Sequence, residues 1–283
     1  MCRKTLEQEA SASSMTQRVL EWCTLRLSEG KPVAIATVIE ASGSVPGKVG
    51  ARLALTANEI FGTVGGAGLE LKVINALKEM IQEEKAGGKV TTYGLNKGAK
   101  GLEVVPLDSL CGGRVSISME VVMPMPHILL MGGGHVAQSI AHMCQGLGWE
   151  HSVQDTREEF SSSVAFPEAR ERHCNSVEDF LESENTDSIN RFSDILLLGH
   201  DWKEDEDRLI GLLKIIDSST RLGVIGSKSK WKAFSKAAID AGIDPSRLDE
   251  VDCPIGLDIG AESPGEIAVA VVAAVLKRIK NDL

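Results

Sequence analysis

Apolar positions follow one rhythm up to about residue 122 and another after about residue 127. Residues 1–15 are polar and Ser-rich and read as a frayed leader. Residues 16–29 carry Val19, Leu20, Cys23 and Leu27 at helical spacing, which predicts an amphipathic helix. Strand-like runs cover 32–40 and 51–56, separated by the turn chemistry of Ser42-Gly43-Ser44-Val45-Pro46-Gly47. After Thr63-Val64-Gly65-Gly66-Ala67-Gly68 a helix is expected over 69–85, with Val73, Leu77, Met80 and Glu84 in phase and Ile74 and Ile81 widening the stripe. Strands are expected over 90–95 and 114–122. In the second of these, Val115, Ile117 and Met119 alternate with Ser116, Ser118 and Glu120.

Met123-Pro124-Met125-Pro126 interrupts the pattern. Proline fixes φ and restrains the residue before it, so this is the expected domain boundary. Beyond it strands and helices alternate: strand 127–131, helix 136–147, strand 151–155, strand 195–199, helix 209–216, strand 221–226, helix 231–241, a short segment 248–252 and a closing helix 264–280. The run 195–199 is apolar throughout, as befits a parallel strand covered on both faces. The pattern therefore predicts an α/β protein. A smaller α+β domain spans 16–122, and a Rossmann-like parallel sheet spans 127–283.

Composition narrows the classes. At 283 residues two domains are expected, and 43% hydrophobic against 25% charged residues is an ordinary globular mix. Aromatics are only 4%, so aliphatic packing must dominate. A net charge of −10 argues against nucleic acid as a partner, because phosphate backbones need a basic surface. No apolar run follows the first positive charges, and the longest apolar stretch, 267–276, is far short of the ~20 residues that span a bilayer. A cytoplasmic protein without a membrane segment is expected. None of the six cysteines forms a C-x-x-C pair, so all except Cys111 are expected to act as buried small hydrophobes.

The chemistry concentrates on glycine-rich turns. Gly132, Gly134 and Ala137 satisfy G-x-G-x-x-A between an apolar strand and a helix, the context that this pattern requires. Gly132 permits the tight turn, Gly134 lets a phosphate approach, and Ala137 allows close helix–sheet packing. Gly133, His135 and Val136 complete the turn, whose free N–H groups and positive helix end suit an anion. Asp155 ends the second strand, where an acid commonly accepts from ribose hydroxyls, and Arg157 lies two residues on. His200 and Asp201 follow a strand directly, and Gly226 and Ser227, with Lys228, Ser229 and Lys230, follow the next. Ligands in open α/β sheets bind at these carboxyl ends. Ser263, Pro264 and Glu266 make a capping box. In the first domain, Cys111 stands beside Gly112 and Gly113, where a thiolate could serve as a soft metal ligand. Gly65-Gly66-Ala67-Gly68 before a helix is a second possible anion site.

Together these motifs resemble the XdhC/CoxI family, accessory factors for xanthine dehydrogenase and related molybdenum hydroxylases. The resemblance runs from about residue 16 to 280. It is carried by Ala36-Thr37-Val38, Gly43-Ser44-Val45-Pro46, Gly65-Gly66, Leu69-Glu70, Cys111-Gly112-Gly113, Gly132 to Ala137 and Asp155-Thr156-Arg157. His200-Asp201 with Asp205, Ile225 to Lys228, Pro254 to Ala261, Ser263-Pro264 and Glu266-Ile267-Ala268 complete it. Lys48 and Ala67 depart from the family pattern. The resemblance implies a maturation factor rather than a turnover enzyme, with no catalytic residues of its own. It would bind molybdenum cofactor, as molybdopterin or its cytosine dinucleotide, with Cys111 as the candidate metal contact. It would deliver that cargo to an apo-hydroxylase of the xanthine dehydrogenase type, with a cofactor sulfurase or nucleotidyltransferase as further partners and a homodimer as the assembly. Two rivals stand beside it: an NAD(P)-dependent oxidoreductase using His200 as acid/base, and an interaction scaffold with a vestigial Rossmann fold.

Overall fold

The structure is a computed structural model that describes residues 2–95, 104–106 and 112–281. The chain divides into two compact units between Pro124 and Met125.

The first unit runs α1 (Cys2–Ser28), β1 (Val33–Ser42), β2 (Arg52–Leu55), β3 (Ile60–Gly62), α2 (Ala67–Ile81), β4 (Gly87–Gly94), β5 (Val104–Pro106) and β6 (Arg114–Val122). Its six strands form one sheet in the order β3-β2-β1-β6-β4-β5, antiparallel except where β5 joins β4. Alternation along β1 sends Ala34, Ala36 and Val38 to a core shared with Val73 and Leu77 of α2. The intervening Val33 and Ile35 pack against Val19 and Cys23 of α1. Helices thus cover both faces.

Three expectations change here. Residues 2–15, expected as a frayed leader, lie within α1; the segment to Ser28 holds no Gly or Pro to break a helix. Leu20, expected on the buried face of that helix, is exposed. Glu84, expected in phase on α2, lies past its end at φ 51, and the buried stripe is Leu69, Val73, Leu77 and Ile81.

The second unit runs β7 (His127–Met131), α3 (His135–Leu147), β8 (Glu150–Gln154), α4 (Glu158–Ser161), β9 (Arg172–His173), α5 (Val177–Ser183), α6 (Thr186–Ile189), β10 (Asp194–Leu197), α7 (Trp202–Ile215), β11 (Arg221–Val224), α8 (Lys228–Asp240), α9 (Pro245–Leu248), β12 (Val251–Asp252) and α10 (Pro264–Asn281). All its strand pairings are parallel, in the order β12-β11-β10-β7-β8-β9. Counted within the unit this is 6-5-4-1-2-3, the order of a Rossmann sheet. One face of β7 and β10 (Ile128, Leu130, Leu196, Leu198) packs on α3 and α10. The other face (Leu129, Met131, Ile195, Leu197) packs on α5, α7 and α8. Each fully buried Leu or Ile contributes about 1.5–3 kcal/mol, and the two faces together hold the sheet edge on which the candidate site stands.

The capping box of α10 is present: Glu266 Oε2 accepts from the N–H groups of Glu262 and Ser263, both at 2.9 Å, and the Ser263 hydroxyl accepts from Glu266 N at 3.3 Å. Of the cysteines described, Cys23 and Cys144 are buried and Cys253 is partly buried, but Cys174 is exposed, against expectation. It follows β9, the edge strand of the sheet, and so has no neighbouring strand to cover it. Among the described residues no helix is long and apolar enough to cross a membrane.

Candidate functional site

In this strand order the connections diverge between β7 and β10, and the crevice at their carboxyl ends is where such sheets bind ligands. The two strand ends meet on glycine. Gly132 has φ 106, and a Cβ there would lie 2.6 Å from Gly199 N. Only glycine allows both that backbone conformation and that approach.

The next two glycines face different surroundings. Gly133 donates its N–H to Asp155 Oδ2 at 2.8 Å, and a Cβ on it would run into the Phe160 carbonyl oxygen. Gly134 has no atom within 4 Å of its Cβ direction. It is the N-cap of α3, at φ −71 and ψ −170, and no side chain caps that helix. By contrast α5, α6, α7, α8 and α9 are capped by Ser176, Asn185, Asp201, Ser227 and Asp244. The open N-terminal amides and positive end of α3 suit a phosphate oxygen. His135 is exposed there, Val136 is half-buried against the core, and Ala137 is buried.

Asp155 is buried at the end of β8. Oδ1 accepts from Arg157 N and Nε, and Oδ2 from Gly133 N and Arg157 Nη2. Burial alone would raise its carboxyl; the side-chain bonds from Arg157 and the two backbone donors outweigh that and leave it below its ordinary value. Arg157, whose own pKa that side-chain bond raises, also lies over the Phe160 ring at 3.9 Å.

On the β10 side His200 is exposed beside Asp201, whose carboxylate accepts from Lys203 N and Glu204 N as the cap of α7. These bonds, that of Glu204 first, keep its pKa below the usual value. On the β11 side the Ser227 hydroxyl accepts from Lys230 N as the cap of α8. Lys230 turns its ammonium inward to Asp205 Oδ2 at 3.0 Å and the Ile225 carbonyl at 3.2 Å. A Cβ on Gly226 would meet that lysine's chain.

Beneath these loops lies a polar cluster that motif reading missed except for Asp205. Arg208, 1% exposed, donates Nη1 to Asp205 Oδ1 at 3.0 Å, and Nε and Nη2 to Gln154 Oε1. Asp205, fully buried, also accepts from Gly199 N at 3.2 Å. Thr156 donates to Glu204 at 3.1 Å. The ends of β8, β10 and β11 are thus joined through α7. The available signal was the spacing of Asp205, Arg208, Leu209 and Leu212, a helical stripe containing two charges.

In the first unit Gly43, Gly113 and Gly65 bring three distant segments together. A Cβ on Gly113 would lie 2.5 Å from Ser42 O, one on Gly43 3.0 Å from Gly113 Cα, and one on Gly65 2.8 Å from Pro46 O. Gly112 borders this cluster with its own Cβ direction open. Cys111 lies outside the described residues. Among the described residues no group of three or more His, Cys, Asp or Glu side chains is placed to hold a metal ion.

Two family models match the chain. The model of the XdhC Rossmann domain matches residues 128–275, more than half of the chain, and that of the XdhC and CoxI family matches 26–94. The chain belongs to the XdhC family. This XdhC chain is 28% identical over 253 residues to the uncharacterized protein YqeB of Escherichia coli K12, covering 89% of the chain and 44% of that protein. It is 26% identical over 163 residues to a probable xanthine dehydrogenase subunit of Bacillus subtilis, covering 58% of the chain and 46% of that protein. It therefore spans less than half the length of these curated relatives. A crystal structure of a xanthine dehydrogenase from Bacillus halodurans aligns with 89% of this chain and 92% of that one, at 19% identity and a TM-score of 0.48.

Proposed function

We propose that this XdhC-family protein is a maturation factor: it binds molybdenum cofactor as cargo and hands it to an apo molybdenum hydroxylase of the xanthine dehydrogenase type. The observation that carries the reading is the turn at Gly134, open on the side where a Cβ would stand and leading into a helix that no side chain caps. A phosphate fits that place, and the cofactor's pterin carries one. Family membership supports the rest, as does the likeness to the Bacillus subtilis protein. In this reading Cys111 meets the metal end of the cargo, the protein works in the cytoplasm as a homodimer, and a sulfurase or nucleotidyltransferase supplies the finished cofactor.

The oxidoreductase reading has less behind it. His200 would need a second proton-handling group, and the neighbouring Asp201 carboxylate is committed to capping α7.

The test is co-purification. Protein isolated from cells that make molybdenum cofactor should carry pterin and molybdenum, detected by mass spectrometry and metal analysis. Gly134→Val should fold, because φ −71 with ψ −170 is extended backbone that valine accepts and the added atoms meet open space. That variant should retain at least about tenfold less cofactor. Equal retention by a folded Gly134→Val protein would remove the crevice from the function.

A further inference from the structure

The crevice also carries information about what lies beyond the phosphate. In a dinucleotide-binding Rossmann domain the acid after the second strand accepts from ribose hydroxyls, and the nucleoside lies beside the glycine turn. Asp155 occupies that position after β8, but its carboxylate is committed within the chain. Oδ1 holds Arg157 N and Nε, each at 2.9 Å; Oδ2 holds Gly133 N at 2.8 Å and Arg157 Nη2 at 2.9 Å. A carboxylate offers about four acceptor sites, so a ribose would have to displace one of these donors. Asp155 is 1% exposed.

The same side of the turn is packed against α4. The main chain of α4 lies against the turn, with the Phe160 carbonyl where a Gly133 side chain would stand. The Arg157 guanidinium covers the Phe160 ring at 3.9 Å and so joins the carboxylate to the helix that blocks it. One residue further on, Gly134 faces open space. The turn is therefore open on the Gly134 side and filled by α4 on the Gly133 side.

We propose that Asp155, Arg157 and α4 close the nucleoside side of the crevice, so that it admits ligands ending in a phosphate monoester and rejects those with a nucleoside beyond the phosphate. This rests on the crevice reading above and selects within it: the molybdopterin form of the cargo is taken, and both its cytosine dinucleotide and NAD(P) are turned away.

The experiment measures affinities of the full chain for a pterin with a phosphate monoester side chain, for the same pterin extended to its cytidine dinucleotide, and for NADH. The monoester should bind at least about tenfold more tightly than either of the others. Arg157→Ala leaves Asp155 with two backbone donors and two free acceptor sites. It should tighten NADH and dinucleotide binding by about tenfold and leave the monoester within about twofold. Equal wild-type affinities for monoester and dinucleotide, or an Arg157→Ala ratio identical to wild type, would overturn the proposal. Gly134→Val tells the two failures apart. If it weakens all three ligands while wild type binds them equally, the crevice stands and its selectivity falls. If it weakens none, the crevice itself is not the site and the inference falls with it.

Discussion

His127 opens β7 in the interior, with Nε2 2.7 Å from the Ser152 hydroxyl and an Nδ1 that has no hydrogen-bond partner among the described residues. Ser152 Oγ also accepts from Glu171 N, and with one proton and a second lone pair it can pair with either neutral form of the ring. Burial is the main reason its pKa falls from 6.5 to about 3, and the Arg170 charge adds to it. The sign follows from linkage. Below 6.5 the unfolded chain takes up a proton that the folded chain refuses, so stability falls with pH until the folded value near 3. His151, lowered chiefly by burial, acts in the same direction. Asp155 and Glu171 are held below their ordinary values; their contribution is complete above the unfolded carboxylate pKa and is lost only at lower pH. Between about pH 6 and about pH 5, His127 alone should therefore remove about 1 kcal/mol of stability. Urea unfolding of wild type and His127→Gln at both pH values checks this. The variant should lose less on acidification, and parallel losses would mean that the ring is not kept neutral by the fold.

At the scale of elements, α7 shows both what the sequence reveals and what it hides. The pattern predicts a helix over 209–216, but α7 begins at Trp202, because the charge-rich run Lys203 to Arg208 reads as solvated surface until its spacing is aligned with Leu209 and Leu212. Strands β7 and β6 and the capping box of α10 were legible, since each is long enough or chemically marked enough to show a period. The short elements over 158–189 were not. α4 and α6 have four residues each and β9 has two, about one period apiece and too short for a pattern to repeat, yet α4 is the element packed against the glycine turn. Motif reading found the glycine turn and Asp155 but not Phe160, whose contribution is a main-chain carbonyl and leaves no trace in residue type. Within α7, Asp205→Ala would remove the fully buried carboxylate from Arg208 and Lys230, leaving Arg208 with Gln154 and Glu204, and should cost about 3 kcal/mol. The double change Asp205→Leu with Arg208→Met should recover most of that loss, because a well-packed apolar pair can replace a buried ion pair. Chemical denaturation decides it: a cost below about 1 kcal/mol for Asp205→Ala would mean that the pair is solvated in solution.

At the scale of the whole molecule, each of the four apolar clusters is confined to one unit. Two hold only residues up to Met123, and two hold only residues from Ile128 onward. Among the described residues no buried cluster crosses the Met123-Pro124-Met125-Pro126 segment, and each unit has cores of its own. The second unit also contains every part of the crevice: the glycine turn, Asp155, α4 and the cluster under the loops. Residues 125–283 expressed alone should therefore unfold in one cooperative transition and bind the phosphate-monoester pterin within about threefold of the full chain. The proposed metal contact, Cys111, belongs to the first unit, so the same fragment should retain pterin but release molybdenum more readily. Calorimetry and metal analysis on the two proteins give both answers. A fragment with no cooperative transition would overturn the independence of the two cores. A folded fragment that holds molybdenum as firmly as the full chain would take Cys111 out of cargo binding and leave the crevice as the holder of the whole ligand.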